Sequence, residues 1–274
     1  MAIVDFVSKT RSVEMIILFG SYARGNWVED KYIENGTTFE YKSDYDLLFV
    51  VKNEELANKH KAAKKLKQKI LRDVDLSTSV NVIYHGIEYL NSEIENGNYF
   101  FTDIIKEGIR VYHNRKFILA KSKLLNLKDR TQKAKLYYEE WIESAAVFED
   151  YFKFGYQKGT LKEAIFQLHQ AAERYYMTIL LVFTDYKPKT HDLEELHHFS
   201  CKQDARFKTV FPRNTEEEEY LFTLLKKAYI DSRYKIGYKI KKEELAYLSE
   251  RVKRLGSLTV EVCNAKIEQM SKSI

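Results

Sequence analysis

Two short stretches of the chain carry residue types that could do chemistry. "GSYARG" (Gly20 to Gly25) follows the apolar run "VEMIILF", and "KSDYDLLFVV" begins roughly twenty residues later at Lys42. Asp44 and Asp46 lie two apart in a segment that reads as a strand, so both carboxylates project to the same side. Two like charges so placed repel each other unless a cation lies between them, and hard oxygen ligands of this kind suit Mg²⁺. Gly20 lets the backbone come close to a ligand, and Ser21 offers a hydroxyl and an amide at the start of a short helix, where an anion is favoured. With the two strands side by side, a triphosphate would rest on Gly20 and Ser21 while a cation bridges it to the aspartates, an arrangement suited to one-metal or two-metal phosphoryl chemistry. The plain alternative is a hairpin with a polar rim.

The elements that must position these residues can be read from periodicity. The first hundred or so residues switch between strand and helix periods: a helix over Ile3 to Ser12, the strand "VEMIILF", a hairpin turning at Asn35-Gly36, and the strand "YDLLFVV". A lysine-rich helix follows, with Ala62, Ala63, Leu66 and Ile70 at helical spacing, so its lysines read as a solvated face. The strand "SVNVIYHG", helical segments over Ile87 to Lys106 and the short strand "GIRVYH" complete an α/β domain ending near Asn114. Beyond Arg115 the strand signal fades. "TLKEAIFQLHQAAERYYMTILLVF" places Ala164, Ile165, Leu168, Ala171, Ala172, Tyr175, Tyr176 and Ile179 on one helical face, with Thr160 in the N-cap position and Glu163 in that of a capping box. Helices over Thr215 to Asp231 and from Lys242 onward predict an antiparallel bundle. The expected fold is α+β, with a mixed-sheet domain over residues 1–114 and a helical bundle over 115–274.

Composition narrows the function classes. The chain has 274 residues, of which 45% are hydrophobic and 31% charged, the profile of a globular protein. No apolar stretch approaches the roughly 20 residues of a membrane helix, and "MAIVDFVSKT" lacks a signal-peptide pattern, so a cytoplasmic protein with no membrane partner is expected. The formal charge of +5 comes from 45 basic and 40 acidic residues. It permits phosphate binding without indicating a nucleic-acid groove. Cys201 and Cys263 form no metal-type spacing and read as reduced structural thiols.

"GS" followed by "SDYD", each beside a strand and with "GSYARG" continuing a small-residue turn, resembles the nucleotidyltransferase superfamily that includes DNA polymerase beta, kanamycin nucleotidyltransferase and the minimal nucleotidyltransferases. The resemblance covers about Ile3 to Tyr112. It implies metal binding and catalysis by Asp44 and Asp46, nucleotide binding by Gly20 and Ser21, and a phosphate contact from Arg24, whose alternative is a surface arginine. It also implies a nucleoside triphosphate such as ATP as substrate, with Mg²⁺ or Mn²⁺. Two departures stand out. Asn26 to Lys42 inserts an extra hairpin, whose Trp27, Tyr32 and Tyr41 either stack on a base or pack within it. Where the family carries a third carboxylate on the next strand, this chain has Asn81. An amide can ligate a cation through its oxygen but cannot take a proton from an attacking hydroxyl, and general-base catalysis is worth about 10²–10⁴-fold. Asp75, Glu88 and His85 are the nearby candidates to replace it.

"FQLHQAAERYYMTILLVFTDYKPKTHDLEEL" and "AYIDSRYKIGY" resemble the HEPN family over roughly Leu136 to Val262, a domain that often accompanies minimal nucleotidyltransferases. HEPN ribonucleases carry Arg-x4-6-His, whereas Arg233 is followed by Tyr238, and a phenol with a pKa near 10 is a poor base at neutral pH. Ribonuclease activity is therefore not expected. Arg233 remains as a candidate nucleotide-binding cation, with pairing to Asp231 or to the bundle as its alternative. His169 reads as a core histidine, and His191 as packing at a helix start capped by Thr190 or Asp192. The combined resemblance implies nucleotidyl transfer to a hydroxyl acceptor, a protein tyrosine or a small molecule, with the helical domain completing the acceptor site in a toxin–antitoxin or stress setting. Both families commonly form homodimers. A non-catalytic nucleotide-binding module and an aminoglycoside-type transferase are the alternatives.

Overall fold

In a computed structural model, which describes residues 13–25, 27, 29–34, 37–58, 62–73 and 78–274, the chain divides into two units, Met1–Leu125 and Asn126–Ile274. The expected helix over Ile3 to Ser12, the Asn35-Gly36 turn, the side chains of Tyr32, Tyr41, Ala62, Ala63 and Leu66, and the candidate Asp75 lie outside the described residues.

In the first unit, runs of β-branched and large apolar residues form the strands β1 (Val13–Phe19), β4 (Tyr45–Val51) and β5 (Val80–Gly86), with β6 (Ile109–His113) at one edge. The sheet order is β5-β4-β1-β6. β1 runs antiparallel to both β4 and β6, while β4 and β5 are parallel. A parallel pair needs a crossover, which the chain supplies with α2 (Glu54–Asn58) and α3 (Ala62–Asp73). β2 (Glu29–Glu34) and β3 (Thr37–Lys42) pair separately as an antiparallel ribbon. A five-residue helix, α1 (Gly20–Arg24), leaves the end of β1 directly.

Near-continuous apolar strands need cover on both faces. Ile70 of α3 joins Val13, Ile16, Leu47, Phe49, Val80 and Val82 in one buried cluster. α4 (Ile87–Glu95) packs against β4 and β5, and α5 (Tyr99–Glu107) against β1. Leu48, Phe49 and Ile16 are fully buried, each stabilising the fold by about 1.5–3 kcal/mol. That core holds the ends of β1, β4 and β5 in fixed register.

The second unit is built on long helices: α6 (Leu127–Lys158), α7 (Leu161–Thr184), α8 (Leu193–Gln203), α9 (Glu216–Tyr234) and α10 (Lys242–Lys272). Asn126 caps α6 by accepting from the Asp129 amide, and Gly159 ends it in the left-handed region at φ +78. Thr215 and Glu218 form a reciprocal capping box at α9. Thr160 stands at the start of α7, but its hydroxyl donates to the Gly155 carbonyl instead of capping. The whole predicted face of α7 is buried, and so are Met177, Thr178 and Leu180 to Val182. α7 is thus the central helix, packed by α6, α8, α9 and α10. Among the described residues, no helix is long and apolar enough to cross a membrane.

Candidate active site

Strand register assembles the acidic pair and the turn. β1 and β4 pair Phe19 with Asp46, so Gly20 emerges beside the Asp46 side chain. Gly20 has φ +75, and a Cβ there would fall 2.5 Å from Asp46 Oδ2. Glycine is required twice over, by backbone conformation and by the approach of the carboxylate. Asp46 itself is buried.

β5 supplies the other side. Asp46 is in register with Asn81, whose Nδ2 donates to Asp46 Oδ1 at 3.0 Å. Two residues before each of these, the Ser79 hydroxyl donates to Asp44 Oδ1. Side chains alternate across a strand, so contacts repeated at a spacing of two on both segments set Asp44 and Asp46 on one face. The intervening Tyr45 turns the other way and packs against Tyr22 at 4.2 Å between ring centroids. Tyr22 in turn stacks on Trp27, with centroids 5.5 Å apart and planes 2° from parallel. Trp27 is therefore part of an aromatic stack continued by Tyr45.

The remaining sequence candidates fall at different distances. Ser21 is half-buried at the first turn of α1. Arg24, in the last turn, pairs with Glu107 at 3.5 Å, both side chains being nearly half exposed. His85 stands four residues along β5 from Asn81, roughly 13 Å at the rise of a strand, and faces Glu54 at 3.4 Å. Glu88 is exposed on α4. Neither reaches the position of a third carboxylate. Among the described residues, no three His, Cys, Asp or Glu side chains gather where they could hold a metal. The oxygen set at this turn is two carboxylates with a hydroxyl and an amide behind them.

The helical unit has its own polar cluster, which sequence reading missed. Glu173 on α7 is 4% exposed and meets His191 Nδ1 at 2.9 Å and His169 Nε2 at 3.7 Å. Burial alone would push its carboxyl up, but the hydrogen bond from His191, with His169 close by, outweighs burial and holds it below the ordinary carboxylate range. His169 donates through Nδ1 to the Leu225 carbonyl at 2.9 Å. His191 stacks on Tyr229 at 4.2 Å, and Asp192, not Thr190, caps α8. Arg233 is not paired to Asp231. Its Nε donates to the Tyr229 carbonyl at 2.6 Å, and its guanidinium lies over the rings of Tyr229, Tyr234 and Phe166 at 4.1, 5.0 and 5.3 Å. Burial pushes the Tyr238 phenol up to about 12. Both cysteines are free, and burial raises the thiol of Cys201 to about 11 and that of Cys263 to about 12.

Comparison with known proteins sorts the chain along the same division. The family model described as "Polymerase beta, Nucleotidyltransferase" matches residues 2–117, and the "HEPN domain" model matches residues 138–263. No curated protein matches the chain. Among solved structures, a nucleotidyltransferase-like protein from Exiguobacterium sibiricum 255-15 aligns with all of this chain and 78% of its own, at 11% identity and a TM-score of 0.33.

Proposed function

Because the chain joins a polymerase beta-type nucleotidyltransferase domain to a HEPN domain, we propose that it moves a nucleotidyl group from a nucleoside triphosphate, ATP being the first candidate, to a hydroxyl acceptor. The observation that carries this reading is the approach of the Asp46 carboxylate to Gly20, with Asp44 on the same face. Gly20 is the cradle: a side chain there would fill the space where a phosphate oxygen and the carboxylate come together. In this reading Gly20 and Ser21 hold phosphates, Arg24 exchanges its exposed pairing with Glu107 for a phosphate, and Asp44 and Asp46 ligate a divalent cation.

The residues present fit such a cation. Their donors are hard carboxylate oxygens, the set that Mg²⁺ and Mn²⁺ prefer. When bound, the cation would neutralise phosphate charge and polarise the reacting phosphoryl group. This chain's own part is to hold the phosphates on the glycine turn and orient the aspartates. Asn81, as placed, gives an N–H to Asp46 rather than an oxygen to a ligand, and it can take no proton from the acceptor hydroxyl.

That last point favours a second reading: a nucleotide-binding module with slow or no turnover, of the kind found in toxin–antitoxin pairs. A protein tyrosine and a small molecule both remain acceptor classes under the first reading. Ribonuclease chemistry is not part of either, since a Tyr238 phenol raised to about 12 stays protonated at neutral pH. Arg233, stacked on aromatic rings and bonded to a carbonyl, is assigned a supporting role in binding phosphate. Cytoplasmic placement accompanies both readings.

The deciding experiment incubates the protein with triphosphates, Mg²⁺ or Mn²⁺, and hydroxyl acceptors, and follows pyrophosphate. Release that disappears in Asp44→Ala and in Asp46→Ala supports the transferase. Nucleotide binding without release, lost in the same variants, supports the module.

A further inference from the structure

Asp46 is fixed from three sides: by its place in the β4 ladder, by the Gly20 backbone, and by the Asn81 amide. Asp44 precedes β4, which begins at Tyr45. The approach to β5 ties this segment down. Thr78 Oγ1 donates to the Ser43 carbonyl at 2.7 Å, the Tyr45 amide donates to the Ser79 carbonyl at 2.9 Å, and Ser79 Oγ donates to Asp44 Oδ1. Residues 78 and 79 thus grip residues 43–45 by one side-chain-to-backbone, one backbone-to-backbone and one side-chain-to-side-chain bond.

We propose that Ser79 is the positioning residue for Asp44 in the cation site, doing for that carboxylate what Asn81 does for Asp46. The inference rests on the metal-dependent reading above and adds a residue that the Gly-Ser turn and the aspartate pair do not contain. Its logic is geometric. Each aspartate gives Oδ1 to a donor on the same neighbouring segment, and the two donors, like the two acceptors, are two residues apart. A carboxylate held through one oxygen presents the other in a fixed direction, and outer hydrogen bonds of this kind are worth about 10–100-fold in metal affinity or activity. Because the third carboxylate is replaced by Asn81, two ligands instead of three orient the cation, and loss of direction at one of them has a large effect. The donors also answer a problem of the empty-handed state: two aspartates on one face repel, and a hydroxyl and an amide directed at them offset part of that repulsion.

The test measures Mn²⁺ binding directly, by electron paramagnetic resonance of free Mn²⁺, in the full chain with and without a non-hydrolysable triphosphate. Ser79→Ala is expected to weaken Mn²⁺ binding about tenfold or more, while Ser79→Thr, which restores a hydroxyl, binds as the unaltered protein does. Melting temperature is followed in parallel. A Ser79→Ala protein that melts normally and binds Mn²⁺ weakly supports positioning, because a merely structural serine would move the melt and not the affinity. If Ser79→Ala binds Mn²⁺ as tightly as the parent while Asp44→Ala has lost it, the cation site stands and the role of Ser79 is overturned. If the unaltered chain binds no Mn²⁺, both fall together.

Discussion

Asp46 and Asn81 stand directly opposite each other on parallel strands, and the amide of Asn81 donates to the carboxylate at 3.0 Å. A buried carboxylate with such a partner is stabilised without help from a cation. Under the proposed transfer, the same contact would put a non-basic group where a proton acceptor assists an attacking hydroxyl, so one contact would both steady Asp46 and slow the chemistry.

Asn81→Asp separates the two effects. In the absence of divalent cation the variant loses a donor and gains a like charge beside Asp46, and is expected to be less stable by about 1–3 kcal/mol. Mn²⁺ should restore the loss, because three carboxylates then share a cation. Turnover should rise by about 10²-fold, the lower end of what a general base contributes. Urea melts with and without Mn²⁺, and pyrophosphate release, measure the two sides. A stability loss that Mn²⁺ leaves untouched, with turnover unchanged, would contradict the assignment of this position.

Two glycines offer an internal control. Gly20 and Gly25 both have left-handed backbone, at φ +75 and +73, but a Cβ at Gly25 meets nothing within 4 Å whereas one at Gly20 meets Asp46. Gly25→Ala is expected to cost about 1 kcal/mol from backbone strain alone. Gly20→Ala carries the same cost and also displaces the carboxylate, so nucleotide affinity should fall in that variant only. Equal nucleotide affinity in the two variants would show that the Gly20 approach has no part in binding.

The helical unit has a pH signature. Burial, with Arg213 nearby, lowers the His197 imidazole from 6.5 to about 4. Between those values the unfolded chain binds a proton at this residue and the native chain does not. Stability therefore falls as pH drops from 6.5 towards 4, by about 3 kcal/mol from this group. His197→Gln, which can still meet the Tyr176 hydroxyl that His197 Nδ1 contacts at 3.0 Å, should flatten that part of the profile. Chemical denaturation at pH 7, 6, 5 and 4 reads the difference.

Glu173→Gln removes the charge that joins His169 and His191 while keeping the shape. A buried group left with mismatched donors costs about 1–3 kcal/mol, and His191 should lose its fixed stacking on Tyr229. Thermal melts report the first effect, and the imidazole resonances of His191 in proton NMR the second. An unchanged His191 environment would mean that Tyr229 alone holds the ring.

Much of the frame was legible because its signals are local. β-branched runs mark β1, β4 and β5, the helix expected over Thr215 to Asp231 is α9, and the broad apolar face expected around Ala164 to Ile179 is the buried face of α7. With Asp46 early in one parallel strand and Asn81 early in the next, their meeting follows from strand order. What stayed hidden depends on side chains brought together from distant segments. Glu173 lies on α7 and His191, 18 residues further on, in the loop before α8, so nothing in either segment announces their bond. Ser79 lies in no motif, and its contact with Asp44 spans 35 residues. Thr160 shows the opposite error: the residue type and position suit a cap, yet the Gly155 carbonyl claims its hydroxyl. Tertiary neighbours decide such cases, and periodicity is blind to them.

The most direct measurement follows which phosphate moves. The protein is incubated with acceptor and Mg²⁺ or Mn²⁺ alongside triphosphate labelled either at the α- or at the γ-phosphate. Nucleotidyl transfer at the aspartate pair should carry the α-label onto the acceptor, release the γ-label in pyrophosphate, and stop in Asp46→Asn. Label arriving on the acceptor from the γ-position, or α-label transfer that persists in Asp46→Asn, would contradict it.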